Sequence, residues 1–187
     1  MKIVVLSGSP QKHGSSNMLA KQFIKGAREV GNTVSVVDAA HANVRPCTGC
    51  VRCGYGGPCA QEDDMGSDIG ATGGIKAELL GADMAVFVTP LYYFGMSAQL
   101  KTVIDRFCAF NGDIQRKHMK SALISVAWNA DDRTFEALEA HYKTLVRYLN
   151  FKDMGTVLGK GCGTPDMTAR SRYMTAAYEF GKSLKNV

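Results

Sequence analysis

The sequence predicts a three-layer α/β/α domain in which helices cover both faces of one five-stranded parallel sheet. Apolar runs of strand length alternate with amphipathic helical patterns along the chain, and this alternation is typical of β-α-β units. The apolar runs are nearly continuous, as expected of strands buried on both faces. The length of 187 residues suits a single domain, 1–187, without a linker or an internal repeat.

The first half of the chain supplies three predicted strands and two predicted helices. Gly31 and Asn32 end the first helix, since both residue types favour helix C-termini. β-branched residues favour the second strand. In chain order, the elements are a strand over 3–6, a helix over about 16–30, a strand over 33–37, a short helix over 75–80 and a strand over 84–89.

The second half continues the alternation. Ser97 is placed to cap the third helix, and Asp131 or Asp132 is placed to cap the fourth. Pro165 fits the first turn of a C-terminal helix. The expected elements are a helix with its apolar face over 100–107, a strand over 122–127, a helix with its stripe over 135–149, a short strand over 156–158 and a helix over 164–184.

Five such units predict the strand order 2-1-3-4-5, which is the flavodoxin-like arrangement. In this arrangement the carboxyl ends of strands 1, 3 and 4 open onto one crevice. The loops after Leu6, Thr89 and Ala127 are therefore expected to meet there.

Small hydroxyl residues and glycines fill the loop after the first strand, Ser7–Asn17. A strand that ends in such a loop and opens a helix offers free backbone N–H groups to an anion. The spacing matches neither a dinucleotide fingerprint nor a triphosphate loop. The loop therefore predicts a phosphate site, with helix capping without a ligand as the alternative.

Three consecutive aromatic residues, Tyr92, Tyr93 and Phe94, stand before Gly95 in the loop after the third strand. Aromatic side chains can stack on a flat ring, and backbone amides near glycine can reach the polar edge of that ring. Trp128 adds a further aromatic in the loop after the fourth strand. A phosphate at one end and a planar ring at the other indicate FMN, with core packing of the aromatic trio as the alternative.

Charge and hydropathy exclude two classes of partner. The formal net charge is +5 without a run of like charges, so neither a nucleic acid nor a membrane surface is indicated. No apolar run has the length of a membrane span, and the chain opens on a strand pattern and not on a secretion signal. A cytoplasmic location is expected.

Four of the six cysteines form a C-x2-C-x2-C-x5-C run. Compact sets of four cysteines hold iron–sulfur clusters, so the run predicts a [4Fe-4S] site; structural zinc, free thiols and disulfides are the alternatives. Cys108 and Cys162 are expected to be structural or incidental, and the adjacent Asp63 and Asp64 to cap a helix. The four candidate metal ligands are Cys47, Cys50, Cys53 and Cys59.

Four segments in this order resemble the NADPH-dependent FMN reductase family, and within it the iron–sulfur flavoproteins. The resemblance covers most of residues 2–106 and continues more loosely to the C-terminus. The segments that carry it are Gly8–Lys12, Cys47–Cys53, Asp63–Met65 and Thr89–Lys101.

The resemblance implies a set of FMN-binding positions. Two features depart from the family pattern: Gln11 stands where Arg or Lys is common, and residues 66–74 form a glycine-rich insertion without an assigned role. The implied phosphate-loop positions are Ser9, Gln11, Ser15, Ser16 and Asn17. The implied ring-binding positions are Pro90, Leu91, Tyr92, Tyr93, Phe94 and Gly95, with Trp128 from the third loop.

The expected function is that of an FMN-dependent oxidoreductase. Electrons would come from NAD(P)H, or from a reduced carrier such as ferredoxin through a [4Fe-4S] cluster, and pass through FMN to an acceptor. The chemistry belongs to the flavin, so no catalytic side chain is named. Family resemblance implies a homodimer or homotetramer in which a neighbouring subunit covers the flavin ring. A flavodoxin-type electron carrier and a zinc-stabilised interaction module without flavin are the alternatives.

Overall fold

Five parallel strands form one sheet in the order β2-β1-β3-β4-β5. The computed structural model describes residues 1–66 and 73–185. The predicted fold class and strand order are therefore confirmed. The strands are β1 Lys2–Ser7, β2 Thr33–Asp38, β3 Met84–Pro90, β4 Lys120–Val126 and β5 Lys152–Gly159.

Helices cover the sheet on both faces, and each face has its own apolar core. One core packs α2, α3, α4 and α5 against the sheet, and the other packs α1 and α7. Two 3-10 helices, Arg52–Tyr55 and Arg106–Phe110, complete the fold. The α-helices are α1 Ser15–Glu29, α2 Gly74–Gly81, α3 Ala98–Asp105, α4 Asn111–Lys117, α5 Glu136–Tyr148, α6 Pro165–Ala169 and α7 Tyr173–Ser183.

The described elements differ from the sequence expectations in the second half of the chain. The C-terminal helix is divided into α6 and α7, and α4 was not predicted because two turns show too little periodicity. The prediction that Asp131 or Asp132 caps α5 is wrong, because α5 begins at Glu136 after Phe135. The Asp131 carboxylate instead accepts a hydrogen bond from the Arg133 N–H at 2.8 Å in the preceding turn. The fifth strand is longer than predicted.

Glycines allow α1 and α7 to pack with their backbones in contact. A Cβ atom on Gly26 would lie 2.1 Å from the Tyr178 carbonyl oxygen, and a Cβ on Gly181 would lie 2.1 Å from the Phe23 carbonyl oxygen. Real Cβ contacts are never this short, so any side chain at either position forces the two helices apart.

The Gly181→Ala variant is therefore expected to lose about 1–3 kcal/mol of the free energy of unfolding, as overpacked sites do. Urea unfolding of the purified protein measures the loss. Gly81→Ala is the matched control, because a Cβ at Gly81 would meet nothing within 4 Å. That control is expected to be neutral or slightly stabilising, and an equal loss in both variants would contradict the packing argument.

The glycine-rich insertion begins and ends at one place on the structure. The Ile75 N–H donates to the Asp64 carbonyl oxygen at 3.0 Å, and a Cβ on Gly74 would lie 2.6 Å from the Gly66 Cα. Gly66, Gly73 and Gly74 all have positive φ angles, which glycine adopts without strain. Residues 67–72 of the insertion lie outside the described residues.

Within residues 1–66 and 73–185, no helix combines the length and the apolar character needed to cross a membrane.

Candidate cofactor cleft and cysteine site

A cleft of about 560 Å³ opens at the carboxyl edge of the sheet. The loops after β1, β3 and β4 all line it, as predicted from the sequence. The loop after β5 also lines it, which the sequence prediction missed. The lining residues are Ser9, Gln11, His13, Gly14, Ser15, Ser16, Pro90, Leu91, Tyr92, Val126, Ala127, Trp128, Cys162, Gly163 and Pro165.

The first turn of α1 forms one end of the cleft. Gly14 is the N-cap residue, and no side chain caps the helix, whose first turn holds no acidic residue. The leading N–H groups of α1 therefore lack intrahelical partners and carry the positive end of the helix dipole. Ser9, Ser15 and Ser16 are buried beside them and can add hydroxyl donors.

The Gln11 carbonyl oxygen organises the loop before α1. It accepts hydrogen bonds from the Gly14 N–H at 2.9 Å and from the Asn17 side-chain amide at 2.9 Å. The Asn17 Oδ1 in turn accepts from the Ser7 hydroxyl at 2.6 Å. Both polar groups of the Asn17 side chain are thus hydrogen-bonded within the loop, so Asn17 stabilises the shape of the loop.

The loop after β1 is fastened to the loop after β3. The Ser97 hydroxyl donates to the Gly8 carbonyl oxygen at 2.7 Å and accepts from the Leu100 N–H at 3.3 Å. Ser97 is therefore the N-cap of α3, as predicted. A Cβ on Gly8 would lie 2.5 Å from the Leu100 Cβ. This close approach requires glycine at position 8.

A tight turn presents the aromatic residues after β3. Tyr92 and Gly95 bond to each other through both backbone N–H groups, at 3.1 and 3.0 Å. The two residues between them, Tyr93 and Phe94, have φ angles of 47° and 63°. Left-handed backbone is costly for bulky residues and occurs at functional sites. Both side chains are exposed, so they do not pack in the core, and Phe94 and Tyr93 do not line the cleft itself.

The Tyr93→Gly variant is expected to gain about 0.5–1 kcal/mol of unfolding free energy, because glycine relieves the left-handed strain at a φ angle of 47°. Tyr93 is fully exposed, so no apolar burial is lost.

Thermal unfolding of the purified protein measures the gain. Tyr92→Gly is the matched control, since Tyr92 lies in the same turn without a positive φ angle and is expected to show no gain in stability. A loss of stability in Tyr93→Gly would show that the turn is not strained.

Trp128 lies over the loop after β5. A Cβ on Gly163 would lie 2.2 Å from the indole Cε3, so the indole contacts the Gly163 backbone directly. The Cys162 N–H donates to the Ala127 carbonyl oxygen at 2.8 Å and ties this loop to the end of β4. Trp128 nevertheless remains 68% exposed at the cleft mouth. The Gly161-Cys162-Gly163 run directly after a strand was the signal in the sequence for this fourth loop.

The second candidate site is a small cavity of about 30 Å³ lined by cysteines. All four predicted ligands line it, and Cys108 joins them from the 3-10 helix Arg106–Phe110. The loop reaches this arrangement through left-handed backbone at Gly49, Val51 and Gly56. The five lining cysteines are Cys47, Cys50, Cys53, Cys59 and Cys108, and all are free thiols.

A buried ion pair holds the cysteine loop to the rest of the fold. Arg106 is 2% exposed and the Asp63 side chain is 0% exposed. The guanidinium binds both carboxylate oxygens, at 2.6 and 3.1 Å. The expectation that Asp63 caps a helix is therefore wrong: its carboxylate accepts from Arg106, from the Arg45 N–H and from the Met65 N–H. The side chain of Asp64 accepts from the Asn43 N–H at 2.7 Å.

Two cysteines of the cavity have shifted pKa values. The backbone N–H of Arg52 and the Thr48 side chain stabilise the Cys50 thiolate and lower the pKa of Cys50. Burial and the negative charges of Cys47, Cys53 and Asp105 raise the pKa of Cys108. When thiols of this cavity ionise, their negative charges lie close to one another.

Across residues 1–66 and 73–185, no three His, Cys, Asp or Glu side chains converge closely enough to hold a single metal ion. The cysteines surround a cavity and do not meet at a point.

Comparison with known proteins decides the family. A family model described as the flavodoxin-like fold matches residues 1–180. The chain belongs to the flavodoxin-like family. The family resemblance predicted from the sequence is thereby confirmed, and the cleft of this flavodoxin-like protein lies at the sheet edge where the fold class binds its ligands.

Two relatives represent two kinds of flavoprotein. An iron–sulfur flavoprotein of Archaeoglobus fulgidus is 32% identical over 110 residues, which is 59% of this chain and 47% of the relative. YwqN of Bacillus subtilis, which carries the name of an NAD(P)H-dependent FMN-containing oxidoreductase, is 26% identical over 95% of this chain and 94% of the relative. The flavodoxin-like chain spans about half the length of the iron–sulfur flavoproteins that it matches.

Solved structures share the fold over the whole chain. The NAD(P)H:quinone oxidoreductase of Methanothermobacter marburgensis superposes with a TM-score of 0.72 at 18% identity, over 100% of this chain and 97% of that one. An FMN-dependent NADH-azoreductase of Bacillus anthracis in complex with FMN has a TM-score of 0.70 at 16% identity, over 100% of both chains. At these identities the likeness concerns the fold alone.

Proposed function

We propose that the protein is an FMN-dependent oxidoreductase that takes electrons from NAD(P)H. One observation carries the proposal: the cleft joins the free N-terminus of α1 at one end to exposed aromatic residues at the other. A phosphorylated ligand with a flat ring fits both ends. The family membership and the name of the full-length relative YwqN support this choice.

The residues present fit FMN. Its phosphate would lie at the N–H groups of Ser15 and Ser16, with the hydroxyl of Ser9 beside them. Gln11 stands where the family commonly has Arg or Lys, so the loop offers no cation at that position. The ring would lie among Leu91, Tyr92 and Trp128. When bound, FMN supplies the hydride and electron chemistry; the chain binds the phosphate, orients the ring and limits access of water.

Anaerobic mixing of the FMN-loaded protein with NADPH or NADH tests the activity. Bleaching of the flavin absorbance by either nicotinamide supports an NAD(P)H oxidoreductase. If neither bleaches the flavin but a reduced ferredoxin does, the protein is an electron-transfer flavoprotein with a protein donor. Failure of the protein to bind FMN at all would overturn the proposal.

A second part of the proposal concerns the cysteine cavity, which we propose holds a [4Fe-4S] cluster. Four free cysteines in one short loop line a single cavity, and the donor set is the all-thiolate set that such clusters use. The relatives that are named iron–sulfur flavoproteins support this choice. A bound cluster would exchange single electrons, and Cys47, Cys50, Cys53 and Cys59 would hold it.

Iron, acid-labile sulfide and zinc assays on anaerobically purified protein test the cluster. About four irons and four sulfides per chain are expected for a [4Fe-4S] cluster. Cys59→Ser is expected to lose most of the iron, whereas Cys162→Ser, on the far side of the sheet, is expected to keep it. Zinc without sulfide would instead favour a structural metal, and FMN without iron would leave the simple reductase.

We also propose that the protein is a cytoplasmic homodimer or homotetramer. Tyr92, Tyr93, Phe94 and Trp128 form an exposed aromatic patch beside the cleft, and a second copy that covered this patch would shield a bound ring. Free thiols suit a reducing compartment. Sedimentation of the FMN-loaded protein and of the Tyr93→Lys variant tests the assembly; a monomer in both cases would contradict it.

A further inference from the structure

Arg106 has no part in the cofactor cleft, yet its charged side chain is only 2% exposed beside the cysteine cavity. It opens the 3-10 helix Arg106–Phe110 on the wall of that cavity. Burying a cation is costly unless it is paired and hydrogen-bonded. Its contacts therefore show what the cation does there.

The guanidinium divides its donors among a carboxylate, a backbone carbonyl oxygen and a cysteine sulfur. Nη1 donates to Asp63 Oδ2 at 2.6 Å and to the Arg45 carbonyl oxygen at 2.8 Å. Nη2 donates to Asp63 Oδ1 at 3.1 Å and to the Cys59 sulfur at 3.3 Å. Among the described residues, Nε is buried without a partner. One planar group thus fixes the carboxylate and the fourth cysteine of the run together.

Two arginines lie near the Asp63 carboxylate, and only one of them is buried. Arg45 Nε lies 3.9 Å from the Asp63 carboxylate, in addition to the buried Arg106. The Arg45 side chain is 58% exposed, so water screens its charge, and Arg106 is the buried cation beside the cysteines. Asp105 lines the same cavity but is paired with Lys101 at 2.5 Å. The buried guanidinium of Arg106 faces the Cys59 sulfur, which becomes a thiolate when it binds iron.

We propose that Arg106 is a positioning residue of the cysteine site, which holds the Cys59 sulfur for cluster binding and stabilises the reduced, more negative cluster. This inference rests on the proposed cluster. Hydrogen bonds to cluster sulfurs and nearby positive charge raise the reduction potential of an iron–sulfur centre. Asp63 has the opposite effect, because its negative charge offsets the guanidinium.

The midpoint potential of the reconstituted cluster tests the inference. Arg106→Gln removes the charge and is expected to shift the potential to a more negative value. Asp63→Asn removes the opposing charge and is expected to shift it to a more positive value. Arg52→Gln is the matched control, since Arg52 is an exposed arginine in the same loop whose charge is screened by water; a clearly smaller shift is expected.

FMN content serves as the measure of folding, because the cleft shares no lining residue with the cysteine cavity. If Arg106→Gln does not fold, Arg106→Lys replaces it: a lysine keeps the charge but cannot bind Asp63 and Cys59 at once. Its cluster is expected at a lower potential than that of Arg52→Lys.

The outcomes separate the inference from the proposed function. Potential shifts of opposite sign in the Arg106 and Asp63 variants support the inference. If the cluster of Arg106→Gln has the same midpoint potential as the wild-type cluster, even at a lower iron content, the arginine has a purely structural role. That result overturns this inference and leaves the proposed cluster standing. A wild-type protein that takes up no iron and sulfide overturns the proposed cluster, and the inference with it.

Discussion

The Asp63→Ala variant is expected to lose about 3–5 kcal/mol of the free energy of unfolding, because it leaves a buried cation without its partner. Arg106 is 2% exposed, and the Asp63 side chain is its only carboxylate partner in the part of the chain that the structure describes. The same change removes the acceptor for the Arg45 and Met65 N–H groups. Chemical denaturation at pH 7 measures the loss.

Asp64→Ala is the matched control, because Asp64 is the adjacent acid and its carboxylate makes one exposed hydrogen bond to the Asn43 N–H. It is expected to cost about 1 kcal/mol. Similar losses in the two variants would contradict the view that the buried ion pair fastens the cysteine loop to the domain.

Asp63 also predicts a pH dependence. Burial favours the protonated acid, but the Arg106 guanidinium and the Arg45 and Met65 N–H groups outweigh it, so the pKa of Asp63 is lowered. A carboxylate with a lower pKa in the folded state stabilises the fold above its unfolded pKa of about 3.9. This contribution is lost as pH falls through the folded pKa. The Asp63→Ala variant is expected to lack this part of the acid transition in unfolding experiments between pH 5 and pH 2.

The Ser15→Asp variant is expected to weaken FMN binding about 100-fold, because a carboxylate in the phosphate loop repels the phosphate at close range. Ser15 is the first residue of α1 and lines the cleft. An acidic residue in the first turn complements the helix dipole. The fold is therefore expected to be as stable as the parent, so that the loss of binding is not a loss of structure.

Fluorescence titration with FMN measures this affinity, and thermal unfolding of the apoprotein measures the stability. Ser15→Ala is the matched control and is expected to weaken FMN by about tenfold or less, because it removes one hydroxyl donor and adds no charge. If Ser15→Asp bound FMN as tightly as Ser15→Ala, the phosphate would lie elsewhere.

The architecture of the cleft could be predicted from the sequence because it depends on local signals. Apolar runs of strand length and helical periodicity identify the β-α units, and the strand order then brings the loops after Leu6, Thr89 and Ala127 to one edge. The fourth loop escaped prediction because only 156–158 of β5 has a clear strand pattern. Its first half, Lys152–Gly155, is polar and carries a glycine, which lies at a φ angle of 117°.

The contacts that hold the cysteine site in place could not be predicted in the same way. Asp63 and Arg106 are 43 residues apart, and no local spacing relates them. The adjacent acids Asp63 and Asp64 suggested a helix cap, because such residues commonly cap helices. Cys108 lies outside the four-cysteine run and reaches the cavity only through the 3-10 helix Arg106–Phe110. Tertiary contacts alone make these residues neighbours.

The two candidate sites depend on separate parts of the fold. The cleft is built from the strand ends and the N-terminus of α1, whereas the cysteine cavity is built from the loop after β2 and the 3-10 helix after α3. Substitutions in one site are therefore expected to leave ligand binding in the other unchanged, as distant sites usually behave additively.

The relative affinity of the apoprotein for FMN and for riboflavin tests the central claim most directly. Riboflavin carries the same ring and ribityl chain without the phosphate. The N-terminus of α1 and the hydroxyls of the loop after β1 are expected to make FMN bind about 100-fold or more tightly, since several charge-assisted hydrogen bonds are lost without the phosphate. Equal affinity for the two flavins, or binding of neither, would contradict the assignment of this cleft to FMN.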